Sequence, residues 1–404
     1  MNEKKGFYSS WAFVLLCNLV IFGLVYAILM TETNISIPLI AIVVVALLIM
    51  ERKGLVNQVF TAYIKNRAVA IISTSVLLIA LPFMLAGQRY IAHIAIMVVI
   101  HAMVAMGLNF QMGSTDMVNF APAAFMGMGA YSVAAATVKL GLSPWIGFLL
   151  AIVISGLFGI LIGVPTLRTK GYYLSLVTMA IQLAFTQLLY NLPSLGGANG
   201  IAGVKPFAIG SFEFFKSYTL FGFKMAPQIP YLFFCLLILV ILTYIAMRVN
   251  ITRFGLSLNN IAQDEIAANC LGVNITRQKL FAFVIGGVFC GVSGALYSGL
   301  NSYVGPEDFN FAKSLMIICM VILGGMDNSI GVIVGAFLLT VITEKLRKFA
   351  DFQQLVYGAI LVIVLIVRPS GLIPKRVRNY CLLLARQLEI HTKTEFTAGL
   401  KVEK

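Results

Sequence analysis

Charge is what this sequence has least of. Only 11% of its 404 residues are Asp, Glu, Lys or Arg, while 60% are hydrophobic. A soluble domain carries about twice that charged fraction, so a water-soluble globule is excluded. Acid is scarcer than base, 15 residues against 29, and the net charge is +14. That excess does not point to nucleic acid, and no nucleic-acid partner is expected. The Lys and Arg residues lie between hydrophobic runs, as the positive-inside rule requires of a membrane protein. Histidine is nearly absent. His93 and His101 share one apolar run, but their spacing does not bring them to one helical face, so no metal site is expected. The six cysteines, Cys17, Cys235, Cys270, Cys290, Cys319 and Cys381, show no CxxC spacing. Most sit inside apolar runs and read as small hydrophobes. No Gly-Lys dipeptide occurs anywhere, which removes the P-loop way of holding nucleotide. No nucleophile, base and acid fall in a recognisable constellation, so the chain is expected to be no enzyme and to bind no cofactor.

What the chain has instead is a series of long apolar runs. Lys4 and Lys5 precede Trp11 to Met30. The run is too long for a signal peptide and no small-residue cleavage pattern follows, so it reads as a retained span. Further runs cover 35–50, 68–86, 90–110, 145–165, 171–190, 229–247, 281–300, 314–325, 330–342 and 355–367. With the interrupted segment 111–131, these give about 10–12 spans by length. Small-residue pairs four apart, Gly159/Gly163, Gly287/Gly291 and Gly331/Gly335, would let helices pack closely in lipid. Alternation places the linker 51–67, the pair Arg168/Lys170, the stretch 248–279 and the tail 375–404 on one side, with both termini. Loop 191–228 falls on the other side. The charged group Glu344 to Lys348 sits on the wrong side for the charge rule, as an interfacial helix or as a sign of a miscounted span. Asp116, Asp327 and Lys313 fall at span ends and read as interfacial, which leaves few ionisable groups for an ion-coupled carrier.

The one sizeable polar insert, Arg248 to Lys279, reads RVNITRFGLSLNNIAQDEIAANCLGVNITRQK. Asn260 with Gln263 suggests an N-cap and its capping-box partner. Asp264 and Glu265 would then lie in the first turns, favoured by the helix dipole. Leu258, Ala262, Ile266 and Cys270 form a stripe every four residues, and Gly272 stands at a left-handed C-cap. The pattern predicts a short amphipathic helix between two spans, either a docking element or a plain connector.

Asp264-Glu265-Ile266-Ala267-Ala268, with Gly272 after it, resembles the EAA loop of ABC-importer permeases. More narrowly, the region from about Tyr90 to Pro374 resembles the LivM-type permeases of branched-chain amino acid importers. Gly107-Leu108-Asn109, Ala123-Ala124-Phe125-Met126-Gly127, Gly196-Gly197-Ala198-Asn199-Gly200-Ile201, Leu323-Gly324-Gly325 and Arg368-Pro369-Ser370-Gly371-Leu372 match that family's signatures. Val304-Gly305-Pro306-Glu307-Asp308-Phe309 is similar to its VSPESF. Two departures occur: Ala121-Pro122 replaces a Gly-rich pair, and Tyr172 replaces an acid after Gly171.

The resemblance implies an all-α, polytopic transmembrane helical bundle like type II-like ABC importer permeases. It also implies an N-terminal extension at 1–67, a permease core at 68–374 and a basic cytoplasmic tail at 375–404. It implies a multi-pass protein of the bacterial cytoplasmic (inner) membrane. The partners would be two ABC ATPase subunits that bind the ATP, a second permease subunit, paralogous to this one, an external substrate-binding protein, and membrane lipid. Asp264, Glu265, Ala267, Ala268 and Gly272 would couple to the ATPase. Asn109, Asn119, Phe125 and Gly127 are candidates to line the pathway, if 111–131 is a discontinuous span and not a kinked packing helix. Asn199, Gly200 and Glu307 are candidates to meet the binding protein, if 191–228 is more than a glycine-rich turn. Family relatives for urea, amides or other amino acids, or an ion-coupled carrier, are the alternative readings.

Overall fold

The computed structural model describes residues 11–31, 67–85, 87–166 and 172–347, less 210–211, 216–218, 221–222 and 225, with scattered positions in 38–66 and 355–373. Arg168, Lys170 and the tail 375–404 lie outside the described residues, as do most of the spans expected at 35–50 and 355–367. The helices run α1 Trp11–Met30, α2 Arg67–Met84, α3 Arg89–Thr115, α4 Pro122–Ala134, α5 Pro144–Thr166, α6 Tyr172–Asn191, α7 Gln228–Ile251, α8 Arg253–Gln263, α9 Glu265–Cys270, α10 Ile275–Asn301, α11 Phe311–Gly324 and α12 Ser329–Lys345. Among the described residues the strands are two-residue pairs only: β1 Ile201–Ala202 with β6 Tyr303–Val304, β2 Ala208–Ile209 with β3 Phe212–Glu213, and β4 Thr219–Leu220 with β5 Phe223–Lys224. Six of the described helices, α1, α3, α5, α6, α7 and α10, are long and apolar enough to cross a membrane. The chain is an all-α membrane bundle.

Two helices make its centre. α10 packs against α3, α4 and α5, and α3 also packs against α7, α11 and α12. Nearly all of α3 is buried, from Ile91 to Thr115. No hydrophobic drive pulls helices together in lipid, so close approach must come from small side chains. That is what α10 supplies. A Cβ on Gly291 would strike the Ser155 side chain of α5, one on Gly287 would lie 2.8 Å from the Ser155 carbonyl, and one on Gly294 would strike the Met126 carbonyl of α4. The pair on α5 is placed the same way: a Cβ on Gly159 would lie 2.9 Å from the Phe283 carbonyl of α10. All three expected small-residue pairs therefore lie at helix–helix contacts, with Gly331/Gly335 of α12 against α11.

α10 leaves the polar insert at its N-terminus, and Gly107 and Gln111 of α3 lie beside Gly286 and Phe283. α3 thus points its C-terminus towards the insert face and begins on the opposite face. It stops at Asp116, whose φ is +55°. Residues 116–121 are not helical, and α4 then begins at mid-depth, where Ala124 N–H bonds Gln182 midway along α6. The stretch 111–131 is therefore a helix, a break and a new helix. α11 and α12, 14 and 17 residues long, are joined by a tight hairpin. Its turn residue Asp327, expected at an interface, is buried instead: its N–H bonds Asn109 Oδ1 at 2.8 Å and its Oδ1 accepts from Ser114 at 2.7 Å. The Ser114 hydroxyl of α3 gives the buried carboxylate a donor, and the Asn109 amide oxygen accepts the turn's backbone N–H. Asp116, by contrast, is exposed. Glu344 and Lys345 form the last turn of α12, and Lys345 Nζ bonds Thr31 O at 2.6 Å, at the end of α1. Glu344 and Lys345 are therefore not a separate interfacial helix, and Lys348 lies outside the described residues.

Candidate functional site

The polar insert folds as two helices, not one. α8 carries the amphipathic part: Leu258 and Ile261 are buried, and Phe254 stacks on Phe281 of α10 with ring centroids 4.7 Å apart. The N-cap expected at Asn260 is instead at Asp264. Its backbone is extended, which ends α8, and its Oδ1 accepts from Ile266 N at 2.8 Å and Ala267 N at 3.1 Å. An aspartate here satisfies two first-turn donors and complements the helix dipole, which Asn260 cannot do from inside α8. The break also divides the expected stripe. Leu258 stays inside, whereas Ile266 is 77% exposed and Cys270 is exposed.

α9 is closed at its far end by Gly272, with φ +80°. Gly272 N–H bonds Asn269 O and Val273 N–H bonds Ala268 O, the two bonds of a Schellman cap. The chain enters α10 through Asn274, whose Oδ1 accepts from Arg277 N at 3.0 Å. Glu265 pairs with Lys279 of α10, so α9 is also pinned from the side. Of the five residues singled out in the insert, Asp264, Glu265 and Gly272 hold α9 in place, and Ala268 is buried against the chain itself at 1% exposure. Ala267 faces outward. The sequence reading passed over Leu271, 75% exposed. It and Ile266 are large apolar side chains standing out from a polar loop, and the signal was an Ile and a Leu flanking the small residues.

On the opposite face, the β1–β6 pairing aligns Ile201 with Val304 and Ala202 with Tyr303. It brings Asn199 and Gly200 beside the turn that holds Glu307; Asn199 and Glu307 are exposed. Gly200 has φ +64° and lies against the Val304 carbonyl, where a side chain would collide. Tyr303, 41% exposed, stands on the same surface. Trp145 Nε1–H bonds Ala208 O at 2.6 Å, and its ring packs edge-on to Phe207 and Phe234, which anchors the loop to α5 and α7.

The four pathway candidates do not form one group. Asn109 serves the α11–α12 turn. Asn119 Nδ2 donates to Gln111 Oε1 and its Oδ1 accepts from Ala121 N at 2.8 Å, so it shapes the helix break. Phe125 and Gly127 are buried, against Phe158 and Phe185. What the sequence reading missed is the polar row on α6. Thr178 Oγ1 accepts from Phe120 N at 3.0 Å, Gln182 Oε1 accepts from Ala124 N at 2.8 Å, and Thr186 donates to Phe309 O at 3.2 Å. Three polar residues recurring every four positions in an apolar helix were the available signal. Among the described residues, no cluster of His, Cys, Asp or Glu could hold a metal ion.

The family described as branched-chain amino acid transport system / permease component matches residues 90–365. The high-affinity branched-chain amino acid transport system permease protein LivM of Salmonella typhimurium is 34% identical over 312 residues, 74% of this chain and 73% of that protein. LivM of Escherichia coli K12 is 32% identical over 317 residues, 75% of this chain and 74% of that protein. LivH of Salmonella typhimurium, a permease protein of the same transport system, is 26% identical over 294 residues, 68% of this chain and 91% of that protein. No solved structure matches the chain.

Proposed function

Since the chain belongs to the branched-chain amino acid transport permease family, we propose that it is the membrane-spanning subunit of an ATP-driven importer of leucine, isoleucine and valine. It works beside a second, paralogous permease of the LivH kind. Two separate ATPase subunits bind and hydrolyse the ATP, and a substrate-binding protein delivers cargo to the outer face. The chain itself binds no cofactor and carries out no chemistry.

The observation that carries this reading is the form of α9. A six-residue helix is too short to be stable alone. Here it is held by the Asp264 cap, the Gly272 cap and the Glu265–Lys279 pair. A plain connector has no need of three restraints, whereas an element that passes force between subunits does. Ile266, Ala267 and Leu271 form its outward face and insert into a cleft of the ATPase. Ala268 acts from the inside, by letting α9 lie close to its own bundle. On the opposite face, Asn199, Gly200, Tyr303 and Glu307 supply the surface for the binding protein. The insert side is then cytoplasmic and the protein resides in the inner membrane.

The test is reconstitution of the chain with its paralogue, ATPases and binding protein in vesicles. ATP-dependent leucine uptake is expected, and both ATPase copies should co-purify with the membrane pair. Leucine uptake driven by a proton or sodium gradient without ATPases would replace this reading with an ion-coupled carrier.

A further inference from the structure

The start of α4 lies inside the bundle, where no water can satisfy its first N–H groups, and its own cap residue, Ala121, has no side chain able to do so. Other helices do it. Ala123 N–H bonds Ser314 Oγ of α11 at 3.2 Å, and Ala124 N–H is shared between Gln182 Oε1 of α6 at 2.8 Å and its own Ala121 O at 3.1 Å. Gln182 does more. Its Oε1 also accepts from Ser314 Oγ at 3.0 Å, while its Nε2 donates to Phe309 O at 2.7 Å and to Thr186 Oγ1 at 3.4 Å. A carboxamide offers two acceptor and two donor positions, and all four are taken. The obligatory donor Ala124 N–H fixes which end of the amide is oxygen. One fully buried side chain thus ties α4, α11 and the 306–309 turn to α6.

α6 is held along one face only. Its buried residues, Leu174, Thr178, Gln182, Phe185 and Leu189, form a single stripe, and Leu183 and Leu188 on its other faces are 49% and 57% exposed. Beside Gln182 a crevice of about 340 Å³ already separates α6 from α11, lined among others by Leu183, Thr186, Gln187, Asn310, Phe311 and Leu315. Three of these bonds cross to other elements and the fourth stays within α6; hydrogen bonds inside membrane bundles are individually weak, so the three hold reversibly.

Resting on the reading of the chain as an ATP-driven permease, we propose that Gln182 is a positioning residue, a latch that keeps the broken helix α3–α4 in the arrangement seen here. Movement of α6 away from α11 and the 306–309 turn releases it once per transport cycle. The released state uncovers Ser314 and the first N–H groups of α4 to water in the pathway.

Two measurements on the full complex test this, in a chain whose six native cysteines are replaced. In the first, Thr186→Cys with Asn310→Cys is oxidised to tie α6 to the start of α11. Leucine uptake should fall about tenfold or more and return on reduction, because a population that cannot shift cannot cycle. Oxidised complex that transports within about twofold of the reduced form overturns the proposal. In the second, Ser314→Cys is probed with a water-soluble maleimide. Protection without nucleotide, and labelling about tenfold faster with ATP and vanadate, is expected of a latch. Equal rates in both conditions overturn it. Adding Gln182→Met should raise labelling without nucleotide; Gln182→Glu, which loses the donor to Phe309 O and so frees the 306–309 turn, replaces it if Gln182→Met does not assemble. No rise means that another group is the latch. The labelling needs no substrate, so it decides the latch even if leucine is not carried, and uptake by the unmodified complex decides the function separately.

Discussion

Asp264, Gly272 and Ile266 each do one thing that a single substitution can remove. Asp264→Ala takes the acceptor from Ile266 N and Ala267 N, a loss of about 1 kcal/mol of helix stability at an N-cap. Gly272→Val forces a β-branched residue to φ +80°, which costs about 1–2 kcal/mol and should twist α9 off its site. Neither lies in a span, so both variants should reach the membrane in normal amounts and lose ATPase. Ile266→Asp acts differently, leaving α9 intact while spoiling its outward face. A central apolar anchor of an interface is worth about 2 kcal/mol or more, roughly thirtyfold in affinity. ATPase retained on the purified membrane pair measures all three. Wild-type retention by Ile266→Asp would show that this side chain is not at the interface. Ala268→Asp should harm the permease itself, because Ala268 is buried in it.

Among the elements, α10 has little tolerance for added volume. Gly291→Leu would drive a branched side chain into Ser155 and the Ala151 carbonyl of α5, and overpacking of this kind costs about 1–3 kcal/mol even where the core can adjust. The variant should lower the amount of assembled complex several-fold, measured by blot of the membrane fraction, without changing which amino acid is carried. An altered preference at normal complex levels would place Gly291 on the pathway. α4 shows the converse case, an element whose formation depends on others. Its sequence holds Pro122 at a fitting first position, yet its first donors are met by α6 and α11.

For the whole molecule the sidedness is the decisive property. The insert and the C-terminus of α3 lie on one face, and the β1–β6 surface lies on the other. Cys270 is native, exposed and on the insert. A chain that keeps Cys270 alone should react with an impermeant thiol reagent only in inside-out vesicles. Reaction in intact cells would invert the topology and remove the ATPase from reach of α9.

The sequence by itself determined the class of this protein. Apolar runs of spanning length, scarce charge and one polar insert permit only a helical membrane bundle, because backbone polar groups in lipid must be satisfied within each segment. It also determined the C-terminal end of α9 at Gly272 and the packing role of the glycine pairs, since φ > 0 and close helix approach are demands that one residue type meets. Tertiary structure decided the rest. Asp264 and not Asn260 is the N-cap, because burial of Leu258 and Ile261 holds Asn260 inside α8 and leaves Asp264 at its end. Ala267 and Ala268, adjacent and alike in sequence, were sent to opposite environments. Gln182, one polar residue in an apolar run, acquired four partners from α4, α6, α11 and the turn before α11. Such partners lie up to 132 positions away, and no local pattern of period 3.6 can carry the identity of a group that only the packed bundle brings near.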